Sequence, residues 1–70
     1  MNEKDVKHGM AVRTWNPHTP DGFTEWEVLD RAPQPGQWWL HRRDEEGNWK
    51  VTCVHRNNFE PAPARQLASV

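Results

Sequence analysis

The amino-acid sequence predicts a small all-β protein, and three observations support this prediction. Short stretches alternate apolar and polar residues with the period of a strand, whereas no window carries the i, i+3, i+4, i+7 pattern of an amphipathic helix. Clusters of Gly, Pro, Asn and Asp separate these stretches, as turns do. The chain has 70 residues, enough for one domain. We expect that domain at 6–62, between flexible tails at 1–5 and 63–70.

Four main strands are expected, at 9–15, 25–32, 37–43 and 49–55. A long loop at 16–24 follows the first strand, because its two prolines and an Asp-Gly pair interrupt a regular ladder. In the second strand, Leu29 falls on the face of the glutamates and indicates a bend or bulge. After the fourth strand, the sequence HRNNF predicts a single closing turn that returns Phe59 to the core, followed by a short edge strand that ends at the prolines.

The hydrophobic pattern predicts the register of the hairpin between the third and fourth strands. Pairing Asp44 with Trp49 around a four-residue loop separates apolar from charged residues better than either register shifted by one residue. One face then carries Trp38, Leu40, Val51 and Cys53 and is expected to form the core. The other face carries Trp39, His41, Arg43, Lys50, Thr52 and Val54 and is expected to meet water.

Burial of large side chains has to stabilise so short a chain, because the single cysteine, Cys53, cannot form an intrachain disulfide. Five tryptophans suit this need. We expect Trp26 and Trp38 in the core, together with Val6, Val12, Val28, Leu40, Val51 and Phe59. That core has no room for five indoles, so at least two rings are expected to be partly exposed, and Trp15, Trp39 and Trp49 are the candidates.

Cys53 and His55 raise the question of catalysis or metal binding, because a thiol beside an imidazole can act as a nucleophile or a ligand. The predicted register makes Cys53 a small buried hydrophobe and places His41 on the other face, so that a site of Cys53, His55 and His41 would need a different register. The sequence therefore predicts no catalytic residue, no metal site and no cofactor.

Charge and hydrophobicity limit the environment of the chain. The longest apolar runs, MAV and WWL, are far too short for a signal peptide or a membrane span. With one unpaired thiol, we expect a cytoplasmic protein. With a net charge of −1, the chain lacks the excess of basic residues that is typical of a general nucleic-acid binder.

Several segments in order, VKHGMAVRT, EWEVLDRA, QWWLHRR, WKVTCV and HRNNFEPA, resemble the SH3-like small barrels, above all the Tudor-like branch. The resemblance covers 6–62 and rests on the G-x-x-V opening, the strand lengths and the final N-F-E-P turn. It implies a barrel of about five short antiparallel strands with a closing 3-10 turn.

In Tudor-like domains that bind cations, an aromatic cage is built from the loop after strand one and the hairpin between strands three and four. The resemblance implies a binding site at the corresponding positions, which hold Trp15, Phe23, Trp26, Trp49, Asp21 and Asp44. A cation over such rings gains about 0.5 to 2 kcal/mol for each contact. The leading hypothesis is a non-catalytic module that binds a protein or peptide, with no membrane partner.

Two alternatives come from other functional classes. A basic strand face with an indole suits single-stranded nucleic acid, and its residues would be Trp39, His41, Arg43, Lys50 and Arg56. The further alternative is an enzyme whose site forms only in an oligomer, because the chain is also similar in size to the SH3-like type II dihydrofolate reductases, which bind substrate in the pore of a tetramer. Their motif VQIY falls where this chain has VTCV, so the ligand-contacting residues are missing.

Overall fold

A computed structural model describes residues 2–63 and confirms an all-β protein of antiparallel strands. The strands are β1 (Ala11–Trp15), β2 (Phe23–Arg31), β3 (Gln37–Arg43), β4 (Trp49–His55) and β5 (Phe59–Pro61). Turns of 3-10 helix form at Glu3–Asp5 and Arg56–Asn58, the second at the predicted closing turn. Within residues 2–63 no helix is long and apolar enough to cross a membrane. The predicted C-terminal tail, apart from Pro63, lies outside the described residues.

The strands form one sheet in the order β4-β3-β2-β1-β5. No ladder joins β4 to β5 in the described part of the chain, so the sheet is not closed and the predicted barrel is wrong in this respect. The sequence of β5 gives a physical reason: the strand has three residues and ends at Pro61, and proline has no N–H to donate. β4 and β5 are therefore the two edges of the sheet.

The hydrophobic core lies on one face of the sheet, which we call the inner face. Val12, Val28 and Leu40 are fully buried there. Val6, Trp38 and Phe59 complete the cluster, and Met10, Trp26 and Val54 pack against it. The pairing of β2 with β3 shifts by one residue between Val28 and Asp30, which confirms the bulge predicted at Leu29. The bulge leaves Leu29 without a partner in the β3 ladder and sets Asp30 opposite Trp39.

The predicted register of the β3–β4 hairpin is wrong by one residue. The structure pairs Arg43 with Trp49 and Leu40 with Thr52, instead of Asp44 with Trp49 and Leu40 with Cys53. Thr52 and Val54 therefore share the inner face with Leu40, and the odd-numbered residues of β4 lie on the opposite side, the outer face. Val51 and Cys53 are exposed, not buried as predicted.

The hairpin loop explains the register. The backbone N–H of Asp44 donates to the Asn48 carbonyl at 2.9 Å, which leaves a three-residue connection of Glu45, Glu46 and Gly47. A loop of this length places its last residue in the left-handed region, and Gly47 has φ +86°. The Asp44 carboxylate then accepts hydrogen bonds from the N–H groups of Glu46 and Asn48, both at 2.9 Å. The register predicted from the hydrophobic pattern took no account of these hydrogen bonds.

The same contacts lower the pKa of Asp44 below its ordinary value, chiefly through the N–H of Asn48. A carboxylate with a lowered pKa stabilises the fold above the pKa of the unfolded chain, about 3.9, and loses that contribution as the pH falls. We therefore expect the wild type to exceed Asp44→Asn in free energy of unfolding at pH 7, and the difference to shrink below about pH 4.

Urea unfolding of both proteins between pH 7 and acid pH measures this difference. Glu46→Gln removes one negative charge from the same loop and gives the contribution of net charge alone. A difference between wild type and Asp44→Asn that stays constant over this range would contradict the role assigned to the Asp44 carboxylate.

Candidate functional site

The outer face of the sheet carries every large exposed apolar side chain of residues 2–63. Trp15, Trp39, Trp49 and Val51 are 68%, 37%, 55% and 56% exposed. Strand alternation places all of them opposite the core, because the adjacent residues Thr14, Trp38, Leu40 and Thr52 belong to the inner face. The predicted exposure of the three tryptophans is confirmed, and the apolar surface is concentrated on one side of the molecule.

A cleft of about 310 Å³ lies on the sheet among these residues. Its lining residues are Ala11, Glu25, Trp26, Glu27, His41, Arg42, Arg43 and Trp49. Strand pairing explains the depression: Ala11 is opposite Glu27, and Glu27 is opposite His41, so a row of long side chains ends at a small residue. The residues that line the cleft carry carboxylates, an imidazole, guanidinium groups and indoles, and they come from four adjacent strands.

Trp49 forms one wall of the cleft and is held by two residues of β3. The His41 ring stacks on the indole with centroids 4.7 Å apart and planes at 12°. The Arg43 guanidinium carbon lies 4.7 Å from the centroid of the same ring. His41 Nε2 in turn lies 3.0 Å from Glu27 Oε1. These contacts link Trp49 to the centre of the sheet, so that an exposed ring is presented in a defined orientation.

A second aromatic group lies at the far end of β1. The rings of Trp15 and Phe23 meet edge to face with centroids 5.7 Å apart, and the Arg13 guanidinium carbon lies 3.9 Å from the Phe23 centroid. Arg13 also forms an ion pair with Glu60 at 2.7 Å. The loop after β1 packs closely against the indole, since a Cβ at Gly22 would lie 2.7 Å from the Trp15 ring. Trp15 is thus supported from one side and open on the other.

The structure does not bring the predicted cage residues into one site. Trp15 and Phe23 form one group and Trp49 belongs to the cleft. The Trp26 ring packs on the inner face, where Nε1 donates to Thr14 Oγ1 at 3.0 Å. Each of the rings of Phe23, Trp26 and Trp49 already has a different arginine of this chain over it. The guanidinium groups of these arginines therefore occupy the positions over the rings that the cation of a ligand would need.

The two predicted anionic residues, Asp21 and Asp44, stabilise turns by accepting hydrogen bonds from backbone N–H groups. Asp21 accepts a hydrogen bond from the N–H of Phe23 at 3.2 Å, and this bond, with a further one from Thr19, lowers the pKa of its carboxyl. Asp44 caps the hairpin loop, as described above. The carboxylates that reach the cleft are Glu25 and Glu27. Their position on the outer face follows from the predicted alternation with Trp26 and Val28. The cleft over Ala11 could not be predicted in this way, because it is formed only when three strands pair.

The residues predicted to bind nucleic acid are divided between surfaces. Trp39, His41 and Arg43 lie on the outer face. Lys50 lies on the inner face opposite Arg42, with its ammonium nitrogen 3.8 Å from Asp44, so its predicted place beside Trp39 is wrong. Arg56 belongs to the closing 3-10 turn, where its backbone N–H donates to the Gly36 carbonyl at 2.8 Å. The outer face also carries carboxylates of Glu25, Glu27 and Glu60, which interrupt the basic strip.

The corrected register places Cys53 on the same face as His41, the arrangement that a metal site would have needed. The Cys53 thiol instead lies 3.6 Å from the side-chain oxygen of Gln37. In the part of the chain that the structure describes, no group of three or more His, Cys, Asp or Glu side chains has the geometry to hold a metal ion.

No protein-family model, curated protein or solved structure matches the chain. The function is therefore inferred from the geometry of the outer face and the charges around the cleft.

A double-mutant cycle tests the stacking of Trp49 on His41. We expect His41→Ala and Trp49→Ala to be coupled by about 0.5 to 1.5 kcal/mol in urea unfolding, the range for a stacked pair beyond its buried area. The cycle of His41→Ala with Trp15→Ala is the matched control, because Trp15 lies at the other end of the outer face and should be additive. Equal coupling in the two cycles would contradict the orientation assigned to Trp49.

Proposed function

We propose that this chain is a non-catalytic binding module that recognises a protein or peptide through its outer face. One observation carries the proposal: Trp15, Trp39, Trp49 and Val51, the large exposed apolar side chains of residues 2–63, all lie on that face. Exposed aromatic side chains gathered on one face are typical of protein interaction sites, and tryptophan dominates their binding energy.

The polar residues of the cleft suit a peptide. Glu25 and Glu27 supply carboxylates for a cationic side chain or for backbone N–H groups, and Arg43 supplies a guanidinium for a carbonyl or carboxylate. The indole of Trp49 lines the same cleft and offers an apolar surface. A mixed set of this kind matches the alternating polar and apolar groups of a polypeptide better than a uniform polyanion.

Nucleic-acid binding is the second candidate, supported by Trp39, His41, Arg43 and Trp49 on one face, since bases stack on aromatic rings. We place it second because the carboxylates of Glu25, Glu27 and Glu60 repel phosphates on the same face. The net charge of −1 also provides no general attraction for a polyanion.

We also infer a divergent relationship to the SH3-like small folds of the Tudor-like branch. The support is a four-strand meander, a fifth strand that returns to the first, and a 3-10 turn before that fifth strand. The open side between β4 and β5 is the departure from a closed barrel. A cytoplasmic location is consistent with the exposed free thiol of Cys53, because such thiols persist under reducing conditions.

The five indole N–H groups provide the test, since each gives its own NMR signal. Peptides selected from a displayed random library against the wild-type chain are titrated into the labelled protein, and an oligonucleotide is titrated separately. We expect a selected peptide to shift the signals of Trp15, Trp39 and Trp49 and to leave that of buried Trp38 in place. A shift produced only by the oligonucleotide would favour the second candidate.

Substitution then locates the binding energy. Trp49→Ala should weaken peptide binding at least about tenfold, because removal of a central interface tryptophan costs about 2 kcal/mol or more. Lys50→Ala is the matched control, since Lys50 is adjacent in sequence and lies on the inner face. Unchanged affinity in both Trp15→Ala and Trp49→Ala would refute the proposed surface.

A further inference from the structure

The two edges of the sheet differ in how they are protected against pairing with another strand. β5 is three residues long, and Pro61 and Pro63 limit its hydrogen bonding. β4 is seven residues long and contains no proline, glycine or bulge. Its one charged residue in the sequence WKVTCVH, Lys50, is paired with Asp44. Nothing among residues 2–63 pairs with the outer edge of β4.

Hydrogen bonds at both ends of the hairpin define which backbone groups of β4 face that edge. Asp44 bonds to Asn48 at one end, and Arg56 bonds to Gly36 at the other. Because bonded and non-bonded pairs alternate in an antiparallel ladder, the even-numbered residues of β4 bond to β3. The N–H and C=O groups of Trp49, Val51, Cys53 and His55 therefore point outward from the sheet.

We infer that the β4 edge is a homodimer interface, in which β4 pairs antiparallel with β4 of a second copy. A symmetric pairing centred on Thr52 uses all the outward backbone groups. It sets Trp49 opposite His55 of the second copy and Val51 opposite Cys53 of the second copy. Each of these pairs exchanges two backbone hydrogen bonds, as the bonded pairs of an antiparallel ladder do.

The side chains of β4 are complementary to themselves in this register. On the outer face, an aromatic ring meets an imidazole, and two exposed apolar groups, the Val51 side chain and the Cys53 thiol, cover each other. On the inner face, Thr52 meets its own copy, a favourable cross-strand pair. Each Lys50 is set opposite Val54 of the second copy, and the Cα atoms of the two Lys50 residues lie about 14 Å apart, four residues along the strand, so no like charges are opposed.

Pairing of this kind would join the outer faces of two molecules into one continuous surface. The exposed apolar edge of Val51 and Cys53 would become interior to a ten-stranded sheet, and Trp49 would gain a neighbour from the second copy. The inference depends on the edge of β4 and not on the binding function proposed above, so either can fail without the other.

Disulfide trapping tests the register. In a Cys53→Ser background, Thr52→Cys places two thiols directly opposite each other, with Cα atoms about 4.5 Å apart, within the range for a disulfide. Lys50→Cys in the same background is the matched control, with its two thiols about 14 Å apart. With oxidised and reduced glutathione, we expect about tenfold more covalent dimer from Thr52→Cys, because proximity raises the effective thiol concentration.

Sedimentation equilibrium of the reduced wild-type chain provides the second measurement. The mean mass should rise towards twice the monomer mass with concentration, and Val51→Pro should remain monomeric, because it removes an outward N–H without breaking a bond to β3. A wild-type monomer at all concentrations, or equal trapping of the two cysteine variants, would overturn the inference. If Val51→Pro fails to fold, the trapping comparison still decides.

Discussion

The hydrogen bonds between the Asp44 carboxylate and the loop backbone fix the register of the β3–β4 hairpin, and both faces of the molecule depend on that register. With one residue more in the loop, Val51 and Cys53 would be directed towards the core, and Thr52 and Val54 towards solvent. Gly47 makes the short loop possible, because it takes the left-handed conformation at little cost. Local backbone chemistry thus outweighs the hydrophobic pattern of β4.

A single sheet with its core on one side leaves its other side to solvent or a partner. Here the inner face holds the buried side chains, and the outer face holds three of the five tryptophans, of which Trp49 is held by His41 and Arg43. Exposed rings add apolar surface area without adding to the core. Their concentration on one face, beside an unprotected strand edge, is the main functional signal in this molecule.

The sequence predicted the strands, the bulge at Leu29, the closing turn and the division of the tryptophans, because these follow from alternation and turn composition. It failed at the β3–β4 register, since Thr52 and Val54 are as compatible with burial as Val51 and Cys53, and the deciding contacts belong to Asp44 and its loop. It also failed to assemble the cleft. Ala11, Glu27, His41 and Trp49 come from four strands, and only the pairing of those strands shows that they are neighbours.

The most direct test of this account is the set of Hα–Hα nuclear Overhauser effects across the β3–β4 hairpin. In an antiparallel ladder the non-hydrogen-bonded pairs bring their Cα atoms to about 4.5 Å and give strong Hα–Hα contacts. The account predicts such contacts for Arg43 with Trp49, His41 with Val51, and Trp39 with Cys53. In the register shifted by one residue, with the loop closed by Asp44 and Trp49, the non-bonded pairs would instead be His41 with Thr52 and Trp39 with Val54, and strong contacts of those pairs would contradict the assignment of the outer face.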